Sequence, residues 1–400
     1  MDSKDRFQAL DTDDGKDNTG QMVGVGIMSF ILFLSTLVGL PVLPALAIEL
    51  GAGPTGAAFV VSAALMTVVS VQFFAGVLAD RYSKRRLILI GALMGAISSL
   101  LCVFANHWTQ LAALRILGGI ADAIAMPALL ATTASLGKNT PGKFFGILRG
   151  SQGLSFVIGP ALGAAFSLRS LRTPFFVDGV LSLIAFFVAM RLLAGTEKAK
   201  SEHNLRVFQS LRTTLSTPRF FLFLLMGISG LFGFGVLSCF IPIKSLLVGL
   251  EAWQIGLILT GGALSFSSVS FIIGTLSDKF GRRVFVIISQ VIMVIGCTGL
   301  ALHNTFSLLL IYYCIFCVGE ATTFLLSFVY AAEIFSKENI GTSMGVFDSL
   351  MDLSLLIAPL LALSVHKVSG NIPLVIMLGS IPAVFTLVGL IFWLPREKTG

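Results

Sequence analysis

GVLADRYSKRR, residues 76–86, is a short basic turn set between two apolar runs, each long enough to cross a bilayer. The turn recurs. GTLSDKFGRR, residues 274–283, repeats the glycine, the aspartate, the basic residue after it, the aromatic and the closing basic pair, 198 positions further on. Asp80 and Asp278 each stand at the C-terminal end of a helix, where the macrodipole disfavours a carboxylate. Each is therefore expected to face the N-terminus of some other helix. Four residues earlier, Gly76 and Gly274 let a neighbouring helix approach closely.

Composition sets the class around these turns. Hydrophobic residues make up 56% of the 400-residue chain and charged residues 12%, about half the charge of an ordinary soluble domain. With a mean hydropathy of +0.94, the sequence reads as a polytopic membrane protein. The 41 glycines suit helices that pack through small side chains, since lipid supplies no hydrophobic drive between helices. A net charge of +7 raises the question of nucleic acid, but the basic residues sit in short turns between apolar runs and read as topology signals.

Counting about 20 apolar residues per crossing gives spans near 21–48, 54–79, 86–105, 109–135, 143–166 and 173–194. A second set follows near 219–247, 252–277, 284–302, 306–334, 339–366 and 372–395. The expected organisation is a disordered cytoplasmic tail (1–20), an N-terminal six-helix bundle (21–194), a cytoplasmic linker (195–218), a C-terminal six-helix bundle (219–395) and a short cytoplasmic tail (396–400). The first tail, with six aspartates against Lys4, Arg6 and Lys16, lacks the basic start and apolar core of a signal peptide. All but six of the 27 lysines and arginines fall on one side of this arrangement; the exceptions are Arg115, Arg149, Arg169, Arg172, Lys244 and Lys367. By the positive-inside rule both termini are cytoplasmic.

The halves repeat beyond the turns. GILRGSQGLSFVIGPALG from Gly146 matches GVFDSLMDLSLLIAPLLA from Gly345 at an offset of 199, with Pro160 answering Pro359 and Ser155 answering Ser354. Such parallel repeats flank a site near the membrane midplane in many transporters.

Charged side chains at lipid depth cost about 2.5–3.5 kcal/mol each on insertion scales and are functional candidates by default. The fourth span holds Arg115 and Asp122, two helical turns apart on one face. Subtracting the repeat offset from Glu320 in the tenth span lands on Asp122, so the two carboxylates are pseudo-symmetric. Asp122 is either a structural partner of Arg115 or a cavity-facing residue for coupling or substrate. Asp348 and Asp352 lie one turn apart on the eleventh span. Like charges so placed repel, and a proton held on one of them relieves the repulsion, as a proton carrier requires. Asp348 answers Arg149 of the fifth span, and the two are expected to meet across a cytoplasmic gate that also includes Asp80, Arg81, Arg85, Asp278 and Arg282. Arg115, Asp122, Glu320 and Asp352 form the expected coupling and substrate cavity. Asp178 and Lys244 are expected near the outer interface, where they can reach water. Pro160 should bend the fifth span, with Gly159 and Gly163 allowing close packing there.

The paired turns resemble the loop between the second and third spans of the major facilitator superfamily, which recurs between its eighth and ninth. Gly281 fits that pattern; Ser83 stands where the first copy usually has glycine. The fifth-span segment SFVIGPALGAAF, residues 155–166, resembles the motif of the superfamily's antiporters, above all its twelve-span drug/proton exporters, through Gly159, Pro160 and Gly163. RILGGIADAIAMP, residues 115–127, resembles that group's arginine motif through Arg115, Gly118 and Gly119, and the resemblance associates Arg115 with proton coupling. In one respect the chain departs from the group: several of those exporters carry an acid in the first span, whereas FLSTLVGLPVLPAL, residues 33–46, offers only Ser35 and Thr36.

The resemblance implies an all-α major facilitator fold of two pseudo-symmetric six-helix bundles in the cell membrane. The function it implies is proton-coupled efflux of small amphipathic or lipophilic compounds by alternating access. Another solute, such as a sugar, metabolite or lipid, moved with protons or passively, is the alternative. The expected partners are that small molecule, protons and membrane lipid, with no nucleic acid, and the protein is expected to be a monomer. No cofactor beyond the proton as coupling ion and no metal is expected. The five cysteines all lie within apolar spans, so neither a disulfide framework nor a zinc site is indicated. His107, His203, His303 and His366 fall in loops or at span ends, which argues against an enzyme. The lack of any sizeable soluble domain argues against a receptor.

Overall fold

The computed structural model describes residues 14–137, 140–192, 218–335 and 340–393. Among them there is no β-strand. The first helix begins at Asp14, ahead of the boundary expected at residue 21; the rest of that tail, the linker up to residue 217 and the last tail lie outside the described residues.

The N-terminal half comprises α1 (Asp14–Gly39), α2 (Leu43–Glu49), α3 (Pro54–Arg81), α4 (Lys84–Cys102), α5 (Trp108–Leu136), α6 (Pro141–Ser167) and α7 (Thr173–Leu192). The C-terminal half comprises α8 (Pro218–Leu247), α9 (Ala252–Phe280), α10 (Arg283–Leu302), α11 (Phe306–Ile334), α12 (Ile340–Ser369), α13 (Ile372–Leu378) and α14 (Ile381–Trp393). A 3₁₀ turn, Leu40–Val42, joins α1 to α2 in a single pass. Pro41 and Pro44 withdraw two backbone donors there, which ends the regular ladder. Likewise α13 and α14 form one pass.

Among the described residues eleven passes are long and apolar enough to cross a membrane. The remaining one, α6, carries Lys143, Arg149 and Gln152 among its glycines and is too polar to qualify. It runs unbroken through Pro160, so the expected bend does not interrupt the helix. A Cβ on Gly159 would lie 2.6 Å from the Leu37 side chain, and Gly163 packs against the Val38 carbonyl. These two glycines therefore admit α1 at closest approach, just before its 3₁₀ turn.

Local signals set the helix starts. Pro54 and Pro141 open α3 and α6, where the missing N–H is harmless. Glu251 and Gln254 form a reciprocal capping box at the start of α9. Gly281 closes α9 with a φ of 81°, a left-handed conformation suited to glycine. In the first turn Ser83 has a φ of −56°, so that copy makes the same reversal without the left-handed residue.

The packing of the core shows how the halves meet. One large cluster draws on both halves, from Val25, Ala79 and Phe145 to Phe328, Ile340 and Met351. It lies toward the face that carries the two basic turns, called here the turn face. Toward the opposite face the core divides: one cluster belongs wholly to the N-terminal half, around Leu43, Leu111 and Phe175, and another to the C-terminal half, around Phe240, Met293 and Val375. The halves are thus joined at the turn face and separately cored beyond it.

Candidate functional site: a closed gate and the buried charges behind it

Two helix pairs, α3 with α12 and α6 with α9, make the junction. Asp80 accepts hydrogen bonds from the backbone N–H groups of Gly341 (2.6 Å) and Thr342 (2.7 Å), in the first turn of α12. Asp278 accepts from Gly142 (3.0 Å) and Lys143 (2.9 Å), in the first turn of α6. Each carboxylate thus leaves the end of its own helix and caps the start of a helix in the other half. It fills two of the orphan donors there and meets the positive end of a dipole. The glycines make this approach possible: a Cβ on Gly76 would sit 2.7 Å from the Gly341 carbonyl oxygen, and one on Gly146 would sit 2.6 Å from that of Ser270. Ser349 donates to the Val69 carbonyl and Ser267 to that of Gly150, both at 2.7 Å. Positions 69 and 267 are repeat partners, as are 150 and 349, so the contacts obey the same internal symmetry as the sequence.

Within this junction Arg149 of α6 and Asp348 of α12 approach to 3.6 Å, close enough to attract but beyond a hydrogen bond. Arg149 donates instead to Gln152 at 2.7 Å. Its guanidinium lies over the rings of Phe324 and Phe328 of α11, at 4.4 and 4.1 Å from their centroids. Asp348 accepts from Gln72 of α3 at 2.5 Å. Asp352, one turn deeper, is partly exposed and within electrostatic reach of Asp348 and Arg149.

The remaining gate candidates divide. Arg282 bonds to Glu333 and to Asp278, the latter at 3.1 Å. Burial opposes its charge, yet these two pairs prevail and hold its proton above the usual arginine range. Arg85 donates to the Met190 carbonyl at 2.7 Å, which ties α4 to α7 within one half. Arg81 is exposed.

Deeper in the bundles, Glu320 of α11 is only 4% exposed and lies against Gly230 of α8. Among the described residues no basic group stands within ion-pair distance of it. Its repeat partner Asp122 on α5 is partly exposed and within electrostatic reach of Arg115. Arg115 is buried, and its Nε has no hydrogen-bond partner.

Two expectations are corrected. Asp178 stands in the second turn of α7 from the end opposite the turn face but does not reach water; it is buried in the N-terminal bundle and accepts from Ser99 of α4 at 2.7 Å. Lys244 is also buried, and its Nζ donates to the carbonyls of Leu300 (2.5 Å) and Ala301 (3.0 Å), capping the end of α10. Each finds polar partners on a neighbouring helix, so neither needs to reach water.

Sequence reasoning missed Gln72, Phe324 and Phe328. Gln72 stands out as a lone amide among valines and phenylalanines of the second span, a signal that was available. Phe324 and Phe328 share a helix face by their spacing of four, but with 34 phenylalanines in the chain no single pair announces itself.

Comparison with known proteins agrees with this architecture. Residues 25–253 and 232–400 match the family profile described as Major Facilitator Superfamily. The chain is 26% identical over 189 residues to the Quinolone resistance protein NorA of Staphylococcus aureus, covering 47% of this chain and 48% of that protein. It is 27% identical over 258 residues to Multidrug resistance protein 1 of Bacillus subtilis, covering 63% of this chain and 65% of that one. The matches thus span between about half and two thirds of these relatives. Among solved structures, the human organic anion transporter MFSD10 (TETRAN) superposes with a TM-score of 0.80 at 18% identity, over 93% of this chain and 99% of the other, a likeness of fold.

Proposed function

The chain belongs to the Major Facilitator Superfamily, and on that premise we propose that it is a proton-driven exporter of small amphipathic or lipophilic compounds, working by alternating access. Glu320 carries this reading. A carboxylate at membrane depth without a basic partner is costly when charged, and taking up a proton removes the cost. Giving that proton up again on the other side is the elementary step of coupling. Asp122 occupies the same position in the other repeat, with Arg115 near it. The names of the bacterial relatives support drug-like cargo, as does an interior rich in phenylalanine and methionine.

In this reading the protein sits in the cytoplasmic membrane as a monomer among lipid, with both termini and the turn face inside. The closed turn face then makes the described conformation the outward-facing one. A proton taken from outside releases the substrate, the halves rock, and the proton leaves inside. The membrane potential contributes about 2.3 kcal/mol per charge per 100 mV.

The test is movement of a fluorescent lipophilic cation, ethidium, into proteoliposomes under an imposed pH gradient. The parent is expected to accumulate ethidium in proportion to the gradient, and Glu320→Gln to lose that dependence while still binding ethidium. Binding by the parent without gradient-dependent movement overturns coupling and favours passive transport or a different solute.

A further inference from the structure

The C-terminal bundle carries a buried polar network whose repeat positions in the N-terminal bundle are apolar. Ser229 of α8, Ser289 and Gln290 of α10 and Thr323 of α11 are each at most 1% exposed. Gln290 stands at the centre. Its Nε2 donates to the Thr323 hydroxyl at 2.8 Å, and its Oε1 accepts from the Ser229 hydroxyl at 3.1 Å. The Thr323 and Ser289 hydroxyls meet at 2.6 Å, and Ser289 also donates to the Val286 carbonyl at 2.7 Å. The repeat positions of Ser289, Gln290 and Thr323 are Gly91, Ala92 and Ala125. There a Cβ on Gly91 would lie 2.8 Å from that of Ala125, so the N-terminal bundle closes the same contact without a polar atom.

Each of the three helices in the network also borders Glu320. Next to Ser229, Gly230 covers the carboxyl side chain: a Cβ there would lie 3.6 Å from the Glu320 Cγ. Thr323 is three residues along α11 from Glu320, on the same helix face. Gly319, beside Glu320, packs on α10, where a Cβ would lie 2.7 Å from the Ser289 carbonyl oxygen. The turn face receives the start of α8, whose Phe220 lies in the shared core, and the end of α11, whose Glu333 bonds to Arg282. Ser229 and Thr323 therefore lie on the turn-face side of Gly230 and Glu320. Gly230 offers no side chain to hold α8 over the carboxyl; the bond from Ser229 to Gln290 does.

We propose that Gln290 is a positioning residue for Glu320: by bridging Ser229 and Thr323 it keeps α8 closed over the carboxyl on its turn-face side, so that a proton held there leaves only when the halves rock. This rests on the proton-coupled reading. Lipid supplies no hydrophobic effect to press helix against helix, so bonds between helices carry that load. A network whose members are all satisfied also holds its parts rigidly. Without the bridge α8 lifts, water reaches Glu320 from the turn face while the opposite side stands open, and protons cross without substrate.

The experiment measures two rates in proteoliposomes of the full-length protein. One is proton entry under a pH gradient without ethidium, read with an enclosed pH-sensitive dye; the other is ethidium exchange at equal pH on both sides. A variant that merely folds less well lowers both together and leaves their ratio alone. Gln290→Met nearly conserves the side-chain volume, and Ser229 and Thr323 keep their bonds to the Met226 carbonyl and to Ser289. It is expected to raise the ratio of proton entry to exchange about sevenfold, the effect of two interhelical bonds in a membrane protein. Ser229→Ala cuts only the link to α8 and should raise the ratio about threefold; it decides the matter if Gln290→Met does not fold. Thr323→Ser, which keeps the hydroxyl, should hold the parent ratio. Adding Glu320→Gln to Gln290→Met should bring proton entry back to the parent level. A folded Gln290→Met or Ser229→Ala protein with the parent ratio, or proton entry that persists once Glu320→Gln is added, overturns the proposal and leaves the network as a packing device. A parent in which an ethidium gradient moves no protons overturns the proton-coupled reading itself, a result visible before any variant is compared.

Discussion

Arg149 is held by two aromatic faces as well as by its opposite charge. Its 3.6 Å separation from Asp348 gives attraction without a hydrogen bond, whereas two ring centroids lie within 4.4 Å of the guanidinium. A desolvated cation–π contact is worth about 2 kcal/mol. Asp348 in turn takes its short bond from Gln72, an uncharged residue of the other half. Replacing both Phe324 and Phe328 with leucine should therefore lower the population of the closed turn face about tenfold or more, read as spin-label distances across that face. Arg149→Lys should not rescue closure, because an ammonium lacks the planar face that stacks on both rings. Lys244 acts on stability instead. Lys244→Met leaves two buried carbonyls of α10 without a donor, at about 1–3 kcal/mol; it should lower the unfolding temperature and leave transport intact. The sequence showed both residues of the Arg149–Asp348 pair through the repeat offset. It did not show that Asp178 and Lys244 turn inward rather than to water, because α7 and α8 are apolar on nearly every side and their patterns do not say which face is buried.

At the scale of the element, the two turns are latches. Each aspartate makes two charge-assisted bonds to the first turn of a helix in the opposite half; hydrogen bonds to charged groups are worth about 1.5–3 kcal/mol each. That the aspartate should face some helix N-terminus was legible from the misfit with its own dipole. Which helix it faces was not, because nothing local in GVLADRYSKRR encodes a partner 261 residues away. Gly146 gives a sharper test of the same junction. A valine there would place its Cβ about where only a glycine fits, 2.6 Å from the Ser270 backbone oxygen, and backbone cannot yield as a flexible side chain can. Gly146→Val is expected to fold, since each half keeps its own core, and to stay apart at the turn face. Cysteine pairs placed across α6 and α9 should then cross-link poorly compared with the parent.

Across the whole molecule, one shared core at the turn face and two separate cores beyond it describe a rocker closed at one end. Inverting a two-state equilibrium from 1:99 to 99:1 takes about 5.5 kcal/mol. On the values above, two aspartate latches and the Arg149 clamp together exceed that figure, so opening the turn face has to offset at least a comparable sum. Because the latches lie on different helix pairs, Asp80→Ala and Asp278→Ala should shift the equilibrium additively, which spin-label distances on the two single variants and the double variant will show. The fold as a whole was legible because a bilayer forces length and apolarity on each pass, and because the turns and offsets mark the repeat. The polar α6 was still legible as the span near 143–166, whereas the interior contacts of Glu320 and Arg115 depend on packing that no local pattern states.

The most direct measurement of the central claim is proton movement driven by substrate. Proteoliposomes holding a pH-sensitive dye are given an ethidium gradient with no initial pH difference. The account predicts protons moving opposite to ethidium in the parent, with no such movement in Glu320→Gln. Ethidium crossing without protons, or protons travelling in the same direction, would contradict it.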